Sequence, residues 1–582
     1  MSSPQNSHRS FSVEQRLAEA IAHHQAGRLP QAEQSYRDVL QAVPHHLAAL
    51  YRLGVLCFQD SRAEQALPFL EAAHKIQPQN PGILNSLGVA AQMAGRDREA
   101  MGYLRQALAI NPGDIGTLGN LGKALREQGD AKAALDCFGK MIEMNPSIIY
   151  TYIEKGRCHF EMGNFQDAIL AFEKTLSLRP DDSDALSGLS SALWAVGRRD
   201  EAREKLERAV QLEPGNAKTI LNLGEFLAFD EGKIDEALGY FNRALVLAPS
   251  YTNAAWRKSF ALLAKGEYRE GWKLYADCLG HRDTRGLNLF APQKPWDGTP
   301  AAGKHLLIWC EQGLGDSLQF IRYAALCKQR VGKISVFCDK PLVRLFKMLP
   351  FIDEASELRE KDSFDEHVPV FNLPHLFDTL VDTVPAAPYL RVDADSAAKW
   401  ARKFANAGDG LKVGLVWAGG AHEDKIIPKL TNLQRSITLE RMRPWLNLPD
   451  VIFYNLQKDK PAAQIGELGL ADRIVDFMGD VTDFADTAAL ILNLDLVITV
   501  DTAVAHLAGG LGKPVWILSR YNADWRWLQN QPSSPWYPSA RIFGQPTMGD
   551  WDSVVVEIGR ALANKIAAFR LSKNIAAYAR SD

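Results

Sequence analysis

"NPGDIGTLGNLGKALREQGDAKAALDCFGKMIEMNP", residues 111–146, runs from one proline to the next and carries the ruler of the N-terminal half. Counting back from Pro146, a small residue (Gly122) lies 24 positions upstream, an alanine (Ala134) 12 and a bulky residue (Phe138) 8. Prolines 44, 78, 112, 146, 180 and 214 recur every 34 residues, and Pro249 follows after 35, the extra residue falling in the turn "FDEGKID". The small slot holds Gly54, Gly88, Gly122 and Gly156, and the alanine slot Ala32, Ala66, Ala100, Ala134, Ala168 and Ala202. The bulky slot holds Tyr36, Leu70, Leu104, Phe138, Phe172, Leu206 and Phe241. A fixed period of this length is the mark of stacked supersecondary units. Each unit reads as two amphipathic helices: small residues admit a close neighbour, the bulky residue fills space, and proline cannot continue the second helix.

The pattern resembles the tetratricopeptide repeat, with seven units over residues 13 to 250. A further half-unit, "ALLAKGEYREGWKLYADCL" (261–279), keeps Gly266 and Tyr268 in register but has no closing proline, as expected of a terminal cap. The resemblance implies an α-solenoid, a surface for self-association or for an extended protein client. Asn85, Asn120 and Asn222 recur on first helices of units and are the candidate client contacts, since an amide can pair with any backbone. Capping or bonding within the array is the other use open to them.

Bulk properties narrow the field. With 46% hydrophobic and 23% charged residues the chain reads as globular, and a net charge of -3 gives no electrostatic case for nucleic acid as a partner. The start "MSSPQNSHRSFS" has no apolar core, and the most apolar later stretch, "AALILNLDLVITV", is broken by Asn493 and Asp495. The expectation is a cytoplasmic protein with no integral membrane segment. Seven cysteines form no CxxC pair, so neither zinc nor a disulfide framework is expected.

The period changes in the second half. After the Pro/Gly/Trp stretch "LNLFAPQKPWDGTPAAGK" (287–304), the runs "HLLIWC", "KISVFC", "KVGLVWA", "VIFYNLQ", "DLVITV" and "PVWILS" alternate with helical segments and read as buried parallel strands. Two Rossmann-like halves follow, and ligands of such sheets bind beyond the carboxyl ends of strands. Two motifs sit there. "EQGLGDSLQF" (311–320) is a glycine turn that also carries a carboxylate, Asp316. "ITVDTAVAHLAGGLGKPVWIL" (498–518) ends a strand at Asp501 and opens a helix at Thr502 or Ala503, where unpaired amides favour an anion. Capping is the alternative reading of both aspartates, and packing that of His506.

Taken together, "EQGLGDSLQFIRYA" and "DTAVAHLAGGLGKPVW", with "RSITL" (435–439), "NLQK" (455–458), "DWRWL" (524–528) and "SPWYP" (534–538), resemble the family-9 glycosyltransferases, the inverting heptosyltransferase-like enzymes of GT-B fold. The order of parts is similar to bacterial repeat-glycosyltransferase fusions, flagellin-modifying enzymes among them. The resemblance implies that Asp316 is the catalytic base. Gly313, Gly315 and Gln312 are placed on the acceptor side. The amides of Thr502, Ala503 and Val504 would hold the donor phosphate with Asp501 and His506 beside them, and Arg435, ahead of Lys429 and Lys458, would supply positive charge. Gly419 and Gly420 would admit the nucleotide closely and Gln457 would line its base or ribose. No metal is expected, and the co-substrate is a nucleotide sugar, ADP-, CMP- or UDP-linked. The aromatics of "YNADWRWLQNQPSSPWYP" (521–538) read either as a lid or as a packed excursion against the C-terminal helix.

The expected organisation is thus a disordered N-terminus (1–12), a repeat array (13–282), a linker (283–303), an acceptor-side half (304–400), a nucleotide-sugar-binding half (401–570) and a tail (571–582). The expected activity is metal-independent, inverting transfer of a sugar to Ser/Thr of a client held by the repeats, flagellin being a candidate. A lipid-linked or polysaccharide acceptor, and a non-catalytic scaffold, are the alternatives.

Overall fold

The structure, a computed structural model, describes residues 12–279, 293–357, 363–405, 408–420, 426–528 and 531–578. The N-terminal segment expected to be disordered lies outside the described residues up to position 11. The chain divides into two compact units, 1–212 and 213–582.

The first unit consists of paired helices, from Val13–Gln25 to Arg199–Leu212. The slots read from the sequence have a direct steric meaning. A Cβ built on Gly54 would lie 2.6 Å from Leu70, one on Gly122 2.8 Å from Phe138, and one on Gly156 2.7 Å from Phe172. The small slot is therefore the seat of the bulky slot 16 residues later in the same unit, and at these three glycines a Cβ would force the bulky side chain to shift. Phe172 also faces Gly188 of the next unit, so the bulky residue seals the joint between units as well. The six slot alanines are fully buried. Each second helix ends two residues before its proline, as at Ala42, Ile76, Ile110, Met144 and Leu178.

The second unit opens with two more helix pairs, Ala217–Phe229 with Ile234–Leu247 and Thr252–Lys265 with Tyr268–Leu279. Gly224 seats Phe241 in the same manner. Two parallel sheets follow. In the first, strands β1 (Lys294–Pro295), β2 (Ala301–Trp309), β3 (Val331–Phe337), β4 (Glu354–Ser356) and β5 (Glu366–Pro369) lie in the order β1-β5-β2-β3-β4. In the second, β6 (Leu411–Val416), β7 (Val451–Asn455), β8 (Ile474–Val475), β9 (Leu496–Val500), β10 (Val515–Ser519) and β11 (Ala540–Gly544) lie in the order β11-β10-β9-β6-β7-β8. Read from the other edge, that is the strand order of a doubly wound nucleotide-binding sheet, with the switch point between β6 and β9. All six apolar runs of the sequence are strands here.

The boundaries differ from those expected of the sequence. Residues 283–292 of the expected linker lie outside the described residues, but the remainder belongs to the first sheet. There β1 pairs with β5, Trp296 is buried, and β2 starts at Ala301. Nor does the last helix pair belong to a separate array. Tyr268, Trp272 and Tyr275 are buried in the core of the second unit, where Trp272 meets Phe320, Phe371, Trp525 and Trp536 at ring-centroid distances of 5.2 to 6.3 Å. Arg269 pairs with Asp378 at 2.8 Å. These aromatics have no further repeat to cover them, and the sheet half does so instead. At the other end, the helix Trp551–Tyr578 runs through the position where a tail was expected.

Candidate functional site

A cleft of about 740 Å³ opens at the carboxyl ends of both sheets, within the size range of small-molecule sites. One wall is the turn after β2, Gly313 to Asp316. The other is formed by the turn after β6 and by Asp501 to Val504 after β9, with Lys458, Asp524 and Arg526. Gly315 is what lets the walls meet: a Cβ there would fall 2.9 Å from His506 Cδ2 and 3.6 Å from Ala503 Cα. The helices Leu314–Phe320 and Ala503–Gly510 pack at this point.

Asp316 is spent in two directions. Its Oδ2 accepts the Gly313 amide at 3.1 Å, closing the helix start as a cap, and its Oδ1 accepts a guanidinium N–H of Arg526. Arg526 in turn donates from Nη1 to Asp524 Oδ1 and from Nε to Gln319 Oε1, each at 2.7 Å. Burial pushes the Asp316 carboxyl above its ordinary range, against the pull of Arg526. Burial also opposes ionisation of Asp524, yet its pairing with Arg526 holds it below. Beneath the turn, Glu311 accepts the amides of Val370 at 3.1 Å and Phe371 at 3.2 Å, tying the ends of β2 and β5 together; burial pushes it up to about 8.

On the facing wall the helix cap is Thr502, not Asp501. Thr502 Oγ1 accepts the Val504 amide at 3.3 Å, so the capping alternative for Asp501 does not hold, and Val504 N is not available to a ligand as expected. Among the described residues the amides of Thr502 and Ala503 and the carboxylate of Asp501 have no hydrogen-bond partner. Burial raises the Asp501 carboxyl, Asp524 adds to this and Arg435 opposes it. His506 is buried, shares a 2.9 Å hydrogen bond with Tyr537 and stacks on Trp527 at 5.3 Å. Burial, reinforced by Arg526, keeps its imidazole well below its ordinary value, hence neutral at pH 7.

Other candidates are placed differently from the expectation. Gly419 faces not an open space but Asn432 and Arg435, whose atoms a Cβ would meet at 2.1 and 2.6 Å; Gly420 is the open glycine. Arg435 closes over Gly419 from the end of the helix Ile426–Arg435, donating to Asn432 at 3.1 Å while lining the cleft. Gln457 Oε1 accepts the amides of Trp417 and Ala418, at 3.1 and 2.8 Å, and its Nε2 donates to Lys458 O, so it holds the turn after β6. Lys458 donates to Val481 O at 3.0 Å, and Lys429 is exposed and off the wall. Gln312 reaches Tyr275 at 3.3 Å. Trp525, Trp527, Trp536 and Tyr537 are buried; they pack against the turn helices and Trp272 rather than against the C-terminal helix, and so do not form a lid. In the first unit Asn120 donates to Asn85 at 2.9 Å, a bond between successive repeats. Asn222 lies in the second unit. Among the described residues no group of three His, Cys, Asp or Glu side chains is arranged to hold a metal ion.

The sequence offers no role for Glu311, and for Arg526 only a pairing with Asp524, which the structure contains. "DWRWL" gave Arg526 a local partner in Asp524, whereas Asp316 lies 210 residues upstream.

Models of the tetratricopeptide repeat match residues 17–81, 57–114, 115–148 and 153–217. The N-terminal region is an array of tetratricopeptide repeats. Among curated relatives, Protein FlbA of Caulobacter vibrioides is 26% identical over 458 residues, covering 67% of this chain and 74% of its own length. A tetratricopeptide repeat protein from Parabacteroides merdae is 18% identical, with 43% of this chain and 99% of that one superposed at a TM-score of 0.40. YrrB, described as a TPR protein with an unusual peptide-binding site, is 18% identical over 32% of this chain and 97% of its own, at a TM-score of 0.28. Among the described residues no helix is long and apolar enough to cross a membrane.

Proposed function

We propose that the sheet-bearing part of the chain is a GT-B glycosyltransferase of the family-9 kind, and that the repeats bind its protein client. The observation that carries this reading is the meeting of Asp316 with the turn Asp501–Ala503 in one cleft, at the carboxyl ends of two parallel sheets. An inverting transfer needs a carboxylate on one side of a sugar and a place for its departing phosphate on the other. In the step, the acceptor hydroxyl oxygen attacks the anomeric carbon. The bond from that carbon to the phosphate oxygen breaks with its electron pair going to the phosphate, and the hydroxyl proton passes to Asp316.

Arg435 and Arg526, with the amides of Thr502 and Ala503, are the groups that favour an anion on the donor side, which keeps the reading metal-independent. Asp501 is a carboxylate with bonding capacity to spare and fits a donor hydroxyl better than a phosphate. Serine or threonine of a protein held by the repeats is the acceptor class, with flagellin a candidate; this takes place in the cytoplasm. A protein-interaction scaffold is the coarser reading that the repeats alone support. Intact mass of candidate clients after co-expression decides: an increment of one sugar, lost with Asp316→Asn, is expected, and unchanged clients together with no hydrolysis of any nucleotide sugar leave only the scaffold.

A further inference from the structure

We infer that Asp316 and an anionic donor compete for the guanidinium of Arg526, so that donor binding frees the carboxylate that the reaction uses. The inference rests on the transferase reading of the cleft.

The charge of the wall motivates it. Six aspartates line the cleft against three cations, Arg435, Lys458 and Arg526. One of the six, Asp483, is answered from outside by Arg344 at 2.6 Å. A diphosphate entering this wall gains little from its net field, and to engage Arg526 it must take that guanidinium from the carboxylates that already hold it. Lys458 is engaged with Val481 O, and Arg435 lies over Gly419. These two bond neutral oxygens and stay open to the anion, whereas Arg526 is shared with carboxylates through bonds of unequal exchangeability.

Its plane is fixed. The guanidinium carbon sits 4.4 Å from the Trp525 ring and 5.8 Å from that of Phe371, Nε is held by Gln319, and Nη1 is held by Asp524. Asp524 also caps the backbone of this turn by accepting the Arg526 amide at 3.1 Å, so that pair is part of the turn itself. The bond from Nη2 to Asp316 has no such support on the arginine side. Asp316 for its part keeps the Gly313 amide when it lets Arg526 go, and its burial raises the proton affinity of the freed carboxylate. A carboxylate paired with a guanidinium is a poor acceptor for a hydroxyl proton; one released from it is a better one. Base strength then follows donor occupancy, and the donor binds before proton transfer can occur.

Calorimetry on the full chain with UDP, ADP, CMP and inorganic pyrophosphate tests this. Asp316→Asn should tighten binding of the anion by about tenfold, the effect of returning one charge-assisted bond, and Arg526→Gln should weaken it. In the Arg526→Gln background the gain from Asp316→Asn should disappear. Should Arg526→Gln fail to fold, Asp339→Asn serves as the control, since it removes a wall carboxylate that makes no bond to Arg526; its gain should be smaller than that of Asp316→Asn by about threefold or more. Equal gains from the two, no gain from Asp316→Asn, or a gain that persists without Arg526 overturns the competition and leaves the transferase reading standing. Absence of binding by all four probes at millimolar concentration ends both. The expected gain together with unchanged clients and no hydrolysis of any nucleotide sugar keeps the competition and ends the transferase reading.

Discussion

Gly315 and His506 touch across the cleft: the glycine belongs to the turn after β2 and the histidine to the helix after β9, and a Cβ on the glycine would stand 2.9 Å from the imidazole Cδ2. The imidazole has nowhere to retreat, being stacked on Trp527 and bonded to Tyr537. The two sheets are thus held to a spacing that one methyl group would violate.

Gly315→Ala should therefore destabilise the second unit by about 1–3 kcal/mol, the usual cost of overpacking a filled site. Gly420→Ala is the control, because a Cβ there meets nothing within 4 Å. Urea unfolding of both variants checks this; similar midpoints would mean that the contact yields freely.

Asp316→Asn keeps the cap acceptor toward Gly313 and removes the carboxylate proposed as the base. Turnover should fall by roughly 10²–10⁴ if the carboxylate takes the proton. The fold should persist, with thermal midpoints close to wild type. Turnover at the wild-type rate would reduce Asp316 to a cap.

A pH effect is expected from Asp486, at the seam between the two sheets. Burial opposes its ionisation, but Thr482 (N at 3.1 Å, Oγ1 at 2.5 Å), Arg344 at 2.9 Å and Trp400 at 3.3 Å outweigh that, and its carboxyl is held well below the ordinary value. A folded pKa below the unfolded one gives stability that is complete above the unfolded value of about 3.9 and is lost as pH falls below it. Wild-type protein should lose stability between pH 5 and pH 3 more steeply than Asp486→Asn, which starts lower at neutral pH. Parallel curves in urea titrations across that range would contradict this.

The features legible in the sequence are those that repeat or that are buried on all sides. The seat formed by Gly122 for Phe138 recurs along the array, so its steric demand appears as a period. Strands such as β9, buried throughout, appear as unbroken apolar runs. The short edge strands β1, β4 and β8, of two or three residues, carry no such run. Tyr268 reads as a repeat residue because it stands in repeat register; what it and Trp272 pack against is decided by a sheet that lies later in the chain. The cleft was half legible for the same reason. Each turn announced itself through glycines and small residues, whereas the bond from Arg526 to Asp316 exists only once two distant turns have met.

That packing of Tyr268 and Trp272 relocates the division of labour between repeats and sheets. A fragment starting near Ala291 would lack Tyr268, Trp272 and Tyr275 and expose the faces of Phe320, Phe371 and Trp536 that they cover. Loss of one such aromatic alone costs about 3–5 kcal/mol, so Trp272→Ala should strongly destabilise the full chain and the short fragment should not fold. A fragment beginning at Glu213 keeps all three and should give a cooperative unfolding transition. It should also bind the nucleotide, since every cleft residue lies beyond position 312. On the proposed function it should modify the client poorly at cellular concentrations, because the proposed capture by residues 1–212 would raise the local acceptor concentration to about the millimolar range. Fragment 1–212 should bind the same client without modifying it. If the short fragment folds, the aromatic seam is dispensable; if the Glu213 fragment modifies the client at the full-length rate, the first unit serves something other than client capture.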